Sequence, residues 1–184
     1  MPRRRDVRFI AFFGLLALLL QLSLGEFFRR WLVSPDWVLA VVTLVAVKSG
    51  PYYGLGAGAV FGFLLDLLSG RWLGLRVLAY APAAYLVGLG TGPLHERHRA
   101  AGFLAGAFAA TVSLLVQRLW ITLLGGGIPS LAGGGDTLGR ILFTAFFVAL
   151  LIPYDLGFPQ RPAGEPQELK LILKPLRIGK GREA

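Results

Sequence analysis

The sequence predicts an all-α, polytopic membrane protein with six transmembrane helices and both termini in the cytoplasm. Three observations carry the prediction. First, the 184 residues are 55% hydrophobic and only 16% charged, with a mean hydropathy of +0.64, whereas a soluble domain is about 25% charged. Second, six apolar segments follow one another: Val7 to Gly25, Pro35 to Lys48, Tyr52 to Leu68, Leu73 to Leu89, Ala100 to Leu124 and Thr137 to Pro153. Third, the basic residues are biased to one side of those segments, as expected when positive loops stay in the cytoplasm.

The net charge of +9 does not point to nucleic acid. The basic residues cluster between apolar spans, where attraction to an anionic cytoplasmic leaflet accounts for them. Membrane lipid is the expected surrounding, and no nucleic-acid partner is expected. The chain has no Cys, which excludes disulfides, redox pairs and thiolate nucleophiles. It has one Met and no Asn, a bias that a thermophilic source or a GC-rich genome would produce.

The first segment follows Arg3-Arg4-Arg5 and so resembles a secretion signal. No small-x-small cleavage site follows it, and five more apolar segments do, so it reads as the first transmembrane helix. With the N-terminus inside, Arg3, Arg4, Arg5, Arg8, Lys48, Arg97, Arg99 and the basic residues of the tail are cytoplasmic. The outer side receives Arg29, Arg30, Arg71, Arg76 and Arg140.

The second segment opens with Ser34-Pro35-Asp36. Ser34 suits the N-cap, Pro35 the first helical position and Asp36 the positive end of the helix dipole. It closes with Lys48-Ser49-Gly50-Pro51, where Gly50 suits a left-handed C-cap and Pro51 prevents continuation. The third segment starts at once, so the two form a tight hairpin at the cytoplasmic face. From Pro35 to Lys48 a helix rises only about 21 Å, against a hydrocarbon core of about 30 Å. Anchored at the inner surface, it stops short of the outer headgroups. Asp36 and Asp66 are then expected near each other in an outer depression.

The third segment carries Gly54, Gly58, Gly62 and Asp66 at every fourth position. That stripe lies along one helix face, and glycine at this spacing lets another backbone approach closely. A carboxylate ending such a stripe faces protein, and a charge at that depth needs a partner. The fifth segment repeats the pattern with Gly102, Gly106, Ala110, Leu114 and Arg118. Asp66 lies about 21 Å along its helix and Arg118 about 27 Å along its own, both in the outer leaflet. An Asp66–Arg118 ion pair is therefore expected, with Arg76 and Arg140 as competing partners.

The loop from Gly125 to Gly135 is uncharged and glycine-rich, the composition of a linker. Residues 154–184 form a short cytoplasmic tail after a transmembrane domain of residues 1–153. No catalytic constellation stands out. His95-Glu96-Arg97-His98 has the wrong spacing for the zinc helix motif and lies in a basic loop. No cofactor or metal is expected.

From Pro35 to Gly90 the sequence resembles the MreD family of rod shape-determining membrane proteins. The resemblance is carried by Pro35-Asp36-Trp37-Val38-Leu39, by Gly50-Pro51, by Gly62-Phe63-Leu64-Leu65-Asp66-Leu67-Leu68-Ser69-Gly70 followed by Leu73-Gly74, by Leu78-Ala79-Tyr80 and by Tyr85-Leu86-Val87-Gly88. It implies a non-enzymatic component of the machinery that elongates the cell wall of rod-shaped bacteria, sited in the inner membrane. The implied direct partner is MreC, engaged at the outer half of this chain. RodA, a class B penicillin-binding protein and MreB belong to the implied wider assembly. The family is also similar in architecture to the substrate-binding subunits of energy-coupling-factor transporters, so a vitamin- or ion-binding subunit is the alternative. Such a subunit is expected to show Ala-x-x-x-Ala in its first helix. Here Ala11 and Ala17 are six apart.

Overall fold

A computed structural model describes residues 4–29, 36–70, 73–91, 99–124 and 134–153. These form six α-helices: α1 (Arg4–Arg29), α2 (Trp37–Ser49), α3 (Pro51–Ser69), α4 (Leu75–Gly90), α5 (Arg99–Leu123) and α6 (Gly134–Leu151). There is no strand among the described residues. The loop 125–133, the His95 loop and the tail after Pro153 lie outside them.

Two helices are long and apolar enough to cross a membrane by length and composition. They are Pro51–Ser69, with mean hydropathy 1.3, and Arg99–Leu123, with mean hydropathy 1.7. The other four contain shorter apolar stretches. Leucine and phenylalanine side chains on the outward faces of α1, α3, α5 and α6 are exposed, among them Phe12, Leu67, Leu104 and Phe146. An apolar exterior of this extent belongs in lipid.

The helix that organises the bundle is α2. Its sequence, from Trp37 through Val-Leu-Ala-Val-Val-Thr to Ser49, is apolar on every side, the pattern of a helix surrounded by protein. It touches all five other helices, and Val42, Leu44, Val45 and Ala46 are completely buried. Thr43 is buried too, its hydroxyl donating to the Leu39 carbonyl at 2.7 Å.

The turn between α2 and α3 is a single residue. Gly50 closes α2 by donating its N–H to Ala46 O at 3.0 Å, and its own carbonyl accepts from Gly54 N at 3.0 Å. Its backbone lies at φ 101°, ψ 176°, so the expected left-handed C-cap is not what forms. The reason is the next residue: a proline clashes with a helical ψ before it and forces an extended one. Positive φ with extended ψ is open essentially to glycine alone.

The glycine stripes face specific neighbours. A Cβ on Gly58 would meet the Tyr80 carbonyl at 2.8 Å, and one on Gly62 would meet Val77 N at 2.9 Å. A Cβ on Gly54 would meet the Ala46 Cβ at 2.5 Å and Ala84 O at 3.2 Å. The stripe thus lies against α4, with Gly54 also touching α2. Gly102 and Gly106 lie against α6, where added Cβ atoms would meet Ile152 Cδ1 at 2.6 Å and Ala145 Cα at 2.8 Å. The bundle is therefore built from two close pairs, α3 with α4 and α5 with α6, around α2. The first helix docks where the Phe61 ring covers Gly14.

Candidate functional site

The charged residues gather at the end of the bundle that holds the N-termini of α2, α4 and α6. Here α2 starts with two of its free N–H groups satisfied by side chains. Gln21 on α1 accepts from Trp37 N at 2.9 Å. Asp36 is the N-cap, its Oδ1 accepting from Leu39 N at 3.1 Å. The helix thus begins two residues later than the reading of Ser34 as cap and Asp36 as first-turn acid.

The second oxygen, Oδ2, accepts from Tyr80 Oη at 2.6 Å and from Arg140 Nη2 at 2.7 Å. Asp36 is 1% exposed and Tyr80 0%. One carboxylate therefore ties α2 to α4 and α6. A charge buried this deeply is stable only when paired and hydrogen-bonded, and this one has a cation, a hydroxyl and an amide. Trp37 extends the joint with edge-to-face contacts to Phe143 and Phe147 of α6, at centroid separations of 5.0 and 4.8 Å.

Asp66, 3% exposed, serves the α3–α4 turn. Its Oδ2 accepts from the Arg76 main-chain N–H at 2.9 Å. Arg76 in turn folds back over the end of α3, where Nη1 donates to Leu65 O at 3.1 Å and to Ser69 Oγ at 3.0 Å. The cation thus shares a carbonyl that already accepts from Ser69 Oγ at 2.7 Å, and it pins the end of α3 to the start of α4.

The expected Asp66–Arg118 ion pair does not form. Arg118 donates to Thr137 Oγ1 at 3.0 Å, on α6. Each charge ends a stripe of small residues, and the two stripes face different helices: Asp66 remains against α4 and Arg118 against α6. Equal depth was legible in the sequence, but depth without direction does not make a pair.

A cavity of about 510 Å³ opens among these groups. Asp66 and Ser69 of α3, Leu75 and Arg76 of α4, Gln117 and Ile121 of α5 and Arg140 of α6 line it. Asp36 and Arg118 do not. The short α2 explains the space. Counted from the shared Gly50 turn, α2 rises about 20 Å and α3 about 28 Å, so the central helix stops short of the walls around it. Asp36 sits at its top, joined through Arg140 to the cavity lining.

Sequence reasoning reached Asp36, Asp66, Arg76 and Arg140 but missed Tyr80, Gln21, Ser69, Thr137 and Gln117. Of these, Gln21 and Gln117 carried a usable signal, each a lone amide in an apolar run. Among the described residues no group of three or more His, Cys, Asp or Glu could hold a metal. No solved structure matches the chain, so the expected likeness to energy-coupling-factor subunits rests on family resemblance alone. Residues 3–128 match the family model described as rod shape-determining protein MreD, which spans the Gln21–Asp36–Tyr80 joint and the whole α3–α4 turn. The chain is a membrane protein of the MreD family.

Proposed function

We propose that this protein is a non-catalytic scaffold of the machinery that elongates the wall of rod-shaped bacteria, and that it binds MreC directly. RodA, a class B penicillin-binding protein and MreB stand in the wider assembly. The six helices cross the inner membrane with both termini in the cytoplasm, a topology supported by the distribution of basic residues. The Asp36 end then faces outward.

One observation favours a scaffold over a catalyst: the Asp36 carboxylate is engaged by donors from α2, α4 and α6. A carboxylate so occupied holds a shape, and a fixed outer end is what a partner with external working domains requires. MreC engages this outer half through its membrane helix and the segment just beyond it, with charges setting orientation more than affinity. The alternative of a vitamin- or ion-binding transporter subunit calls for Ala-x-x-x-Ala in the first helix, where Ala11 and Ala17 stand six apart.

Crosslinking tests the reading, and the absence of native Cys makes it clean. Leu73→Cys and Leu138→Cys, both at exposed positions near the Asp36 end, should crosslink to the membrane-proximal segment of MreC. Arg99→Cys, exposed at the opposite end, should not. Failure of MreC to copurify, or crosslinks confined to Arg99→Cys, overturns the proposal.

A further inference from the structure

The cavity at the Asp36 end is lined by groups whose hydrogen-bonding capacity is only partly used. Gln117 Nε2 is a buried donor without a partner among the described residues. Arg76 uses Nη1 twice, and its Nε and Nη2 groups have no partner among the described residues. Asp66 uses Oδ2, while Oδ1 has no such partner. A guanidinium and an amide therefore offer donors, and a carboxylate offers an acceptor, into one space of about 510 Å³. That volume falls within the roughly 300–1,000 Å³ of small-ligand sites.

Each arginine that lines the cavity has a carboxylate beside it. Arg140 is matched by Asp36, and Arg76 stands beside Asp66. A guest with a net charge would leave one charge uncompensated at low dielectric, which is costly. A guest with both an oxyanion and an N–H cation would add no net charge and would use both kinds of free group.

The surroundings are those of an amphiphile. Leu75 and Ile121 line the cavity beside the polar groups, and Leu73, Leu119 and Leu124 near its helix ends are more than half exposed. Gln117 lies six residues before the end of α5, about 9 Å below it, close to where headgroups meet hydrocarbon.

We infer that this cavity takes the headgroup of a zwitterionic aminophospholipid, its phosphodiester against Arg76 and Gln117 and its primary ammonium against Asp66 Oδ1. The acyl chains lie over Leu75 and Ile121. A soluble ammonium phosphodiester has the same polar chemistry but gains nothing from that apolar rim. The inference does not depend on MreC binding.

The test uses the full chain, purified in detergent and stripped of lipid. Short-chain phosphatidylethanolamine at hundredfold excess over its dissociation constant should raise the melting temperature by about 5–10 °C. Phosphatidylcholine, which lacks N–H donors, phosphatidylglycerol, which is anionic, and soluble glycerophosphoethanolamine should each raise it by less than half as much. Gln117→Met keeps the side chain's size and removes a donor to the phosphodiester, so it should reduce the shift with every phospholipid while still folding, whereas Asp66→Asn, which keeps an acceptor for Arg76 N, should lose the preference for ethanolamine. Thr111→Ala, at an exposed α5 position whose hydroxyl donates to Ala107 O, should keep it. Equal or larger shifts with phosphatidylglycerol, an undiminished shift in Gln117→Met, an unchanged preference in Asp66→Asn, or an equal shift with the soluble compound overturns the inference. Protection of Ile121→Cys from maleimide by MreC but by no lipid overturns it in favour of a protein segment.

Discussion

Arg140 donates to the Asp36 carboxylate across 2.7 Å although 104 positions separate the two in the chain. The contact joins the start of the central helix to the last helix. Asp36 is fully buried, and the Arg140 side chain is 21% exposed, so the pair sits at the boundary between core and cavity. Removing one member strands the other. Arg140→Ala should lower stability in detergent by about 3 kcal/mol or more. Asp36→Asn with Arg140→Gln should cost less than the sum of the two single changes, because both charges then leave together. Denaturation midpoints of the four proteins measure this, and strict additivity would show that the pair is not coupled.

Tyr80→Phe isolates the hydroxyl. The ring stays buried and only the 2.6 Å bond to Asp36 is lost. A hydrogen bond to a charged group contributes about 1.5–3 kcal/mol, and the melting transition should fall accordingly. Tyr53→Phe, on α3 near the Gly50 turn and away from Asp36, is the comparison and should change stability much less.

Gly58 and Gly56 differ by half a turn and provide a paired test of helix packing. A Cβ at Gly58 would lie 2.8 Å from the Tyr80 carbonyl, whereas one at Gly56 has nothing within 4 Å. Gly58→Ala should therefore destabilise by about 1–3 kcal/mol through overpacking. Gly56→Ala should be neutral or slightly stabilising, since alanine favours the helix. Equal melting temperatures for both variants would show that the α3–α4 contact yields to a methyl group.

The membrane orientation is tested with reporter fusions. A reporter placed after Arg99 or after Ala184 should read cytoplasmic, and one placed after Gly127 should read external. An external reading after Ala184 would reverse the assignment of the Asp36 end to the outside.

The helices and their closest neighbours were legible in the sequence because apolar runs and glycine spacing are local signals. Gly54, Gly58 and Gly62 announced a close contact, and their common face carried Asp66 to the α4 side. The partners of the charges were not legible. Arg76, Arg118 and Arg140 lie at similar depth, and rise per residue says nothing of the direction in which a side chain points. Arg118 therefore looked as suitable for Asp66 as Arg76 did. Tyr80 looked like one more aromatic in an apolar helix, because its hydroxyl matters only once α2 ends beside it. At Gly50 the turn was foreseen, but its backbone angles were set by Pro51.

The wide sequence separation of Asp36 and Arg140 also imposes an order on biogenesis. At the roughly 5–20 residues added per second during synthesis, Arg140 emerges about 5–20 s after Asp36. Through that interval α2 has a carboxylate at one end and too few apolar residues to be a stable span on its own. Tyr80 arrives first and can hold the acid, but the countercharge comes only with the last helix. Newborn α2 must therefore wait, sheltered by α1 and α3 or by an insertion factor, until α6 enters. A chain cut short before α6 would leave Asp36 with Tyr80 but without its countercharge, the costly state of a buried and unpaired ion.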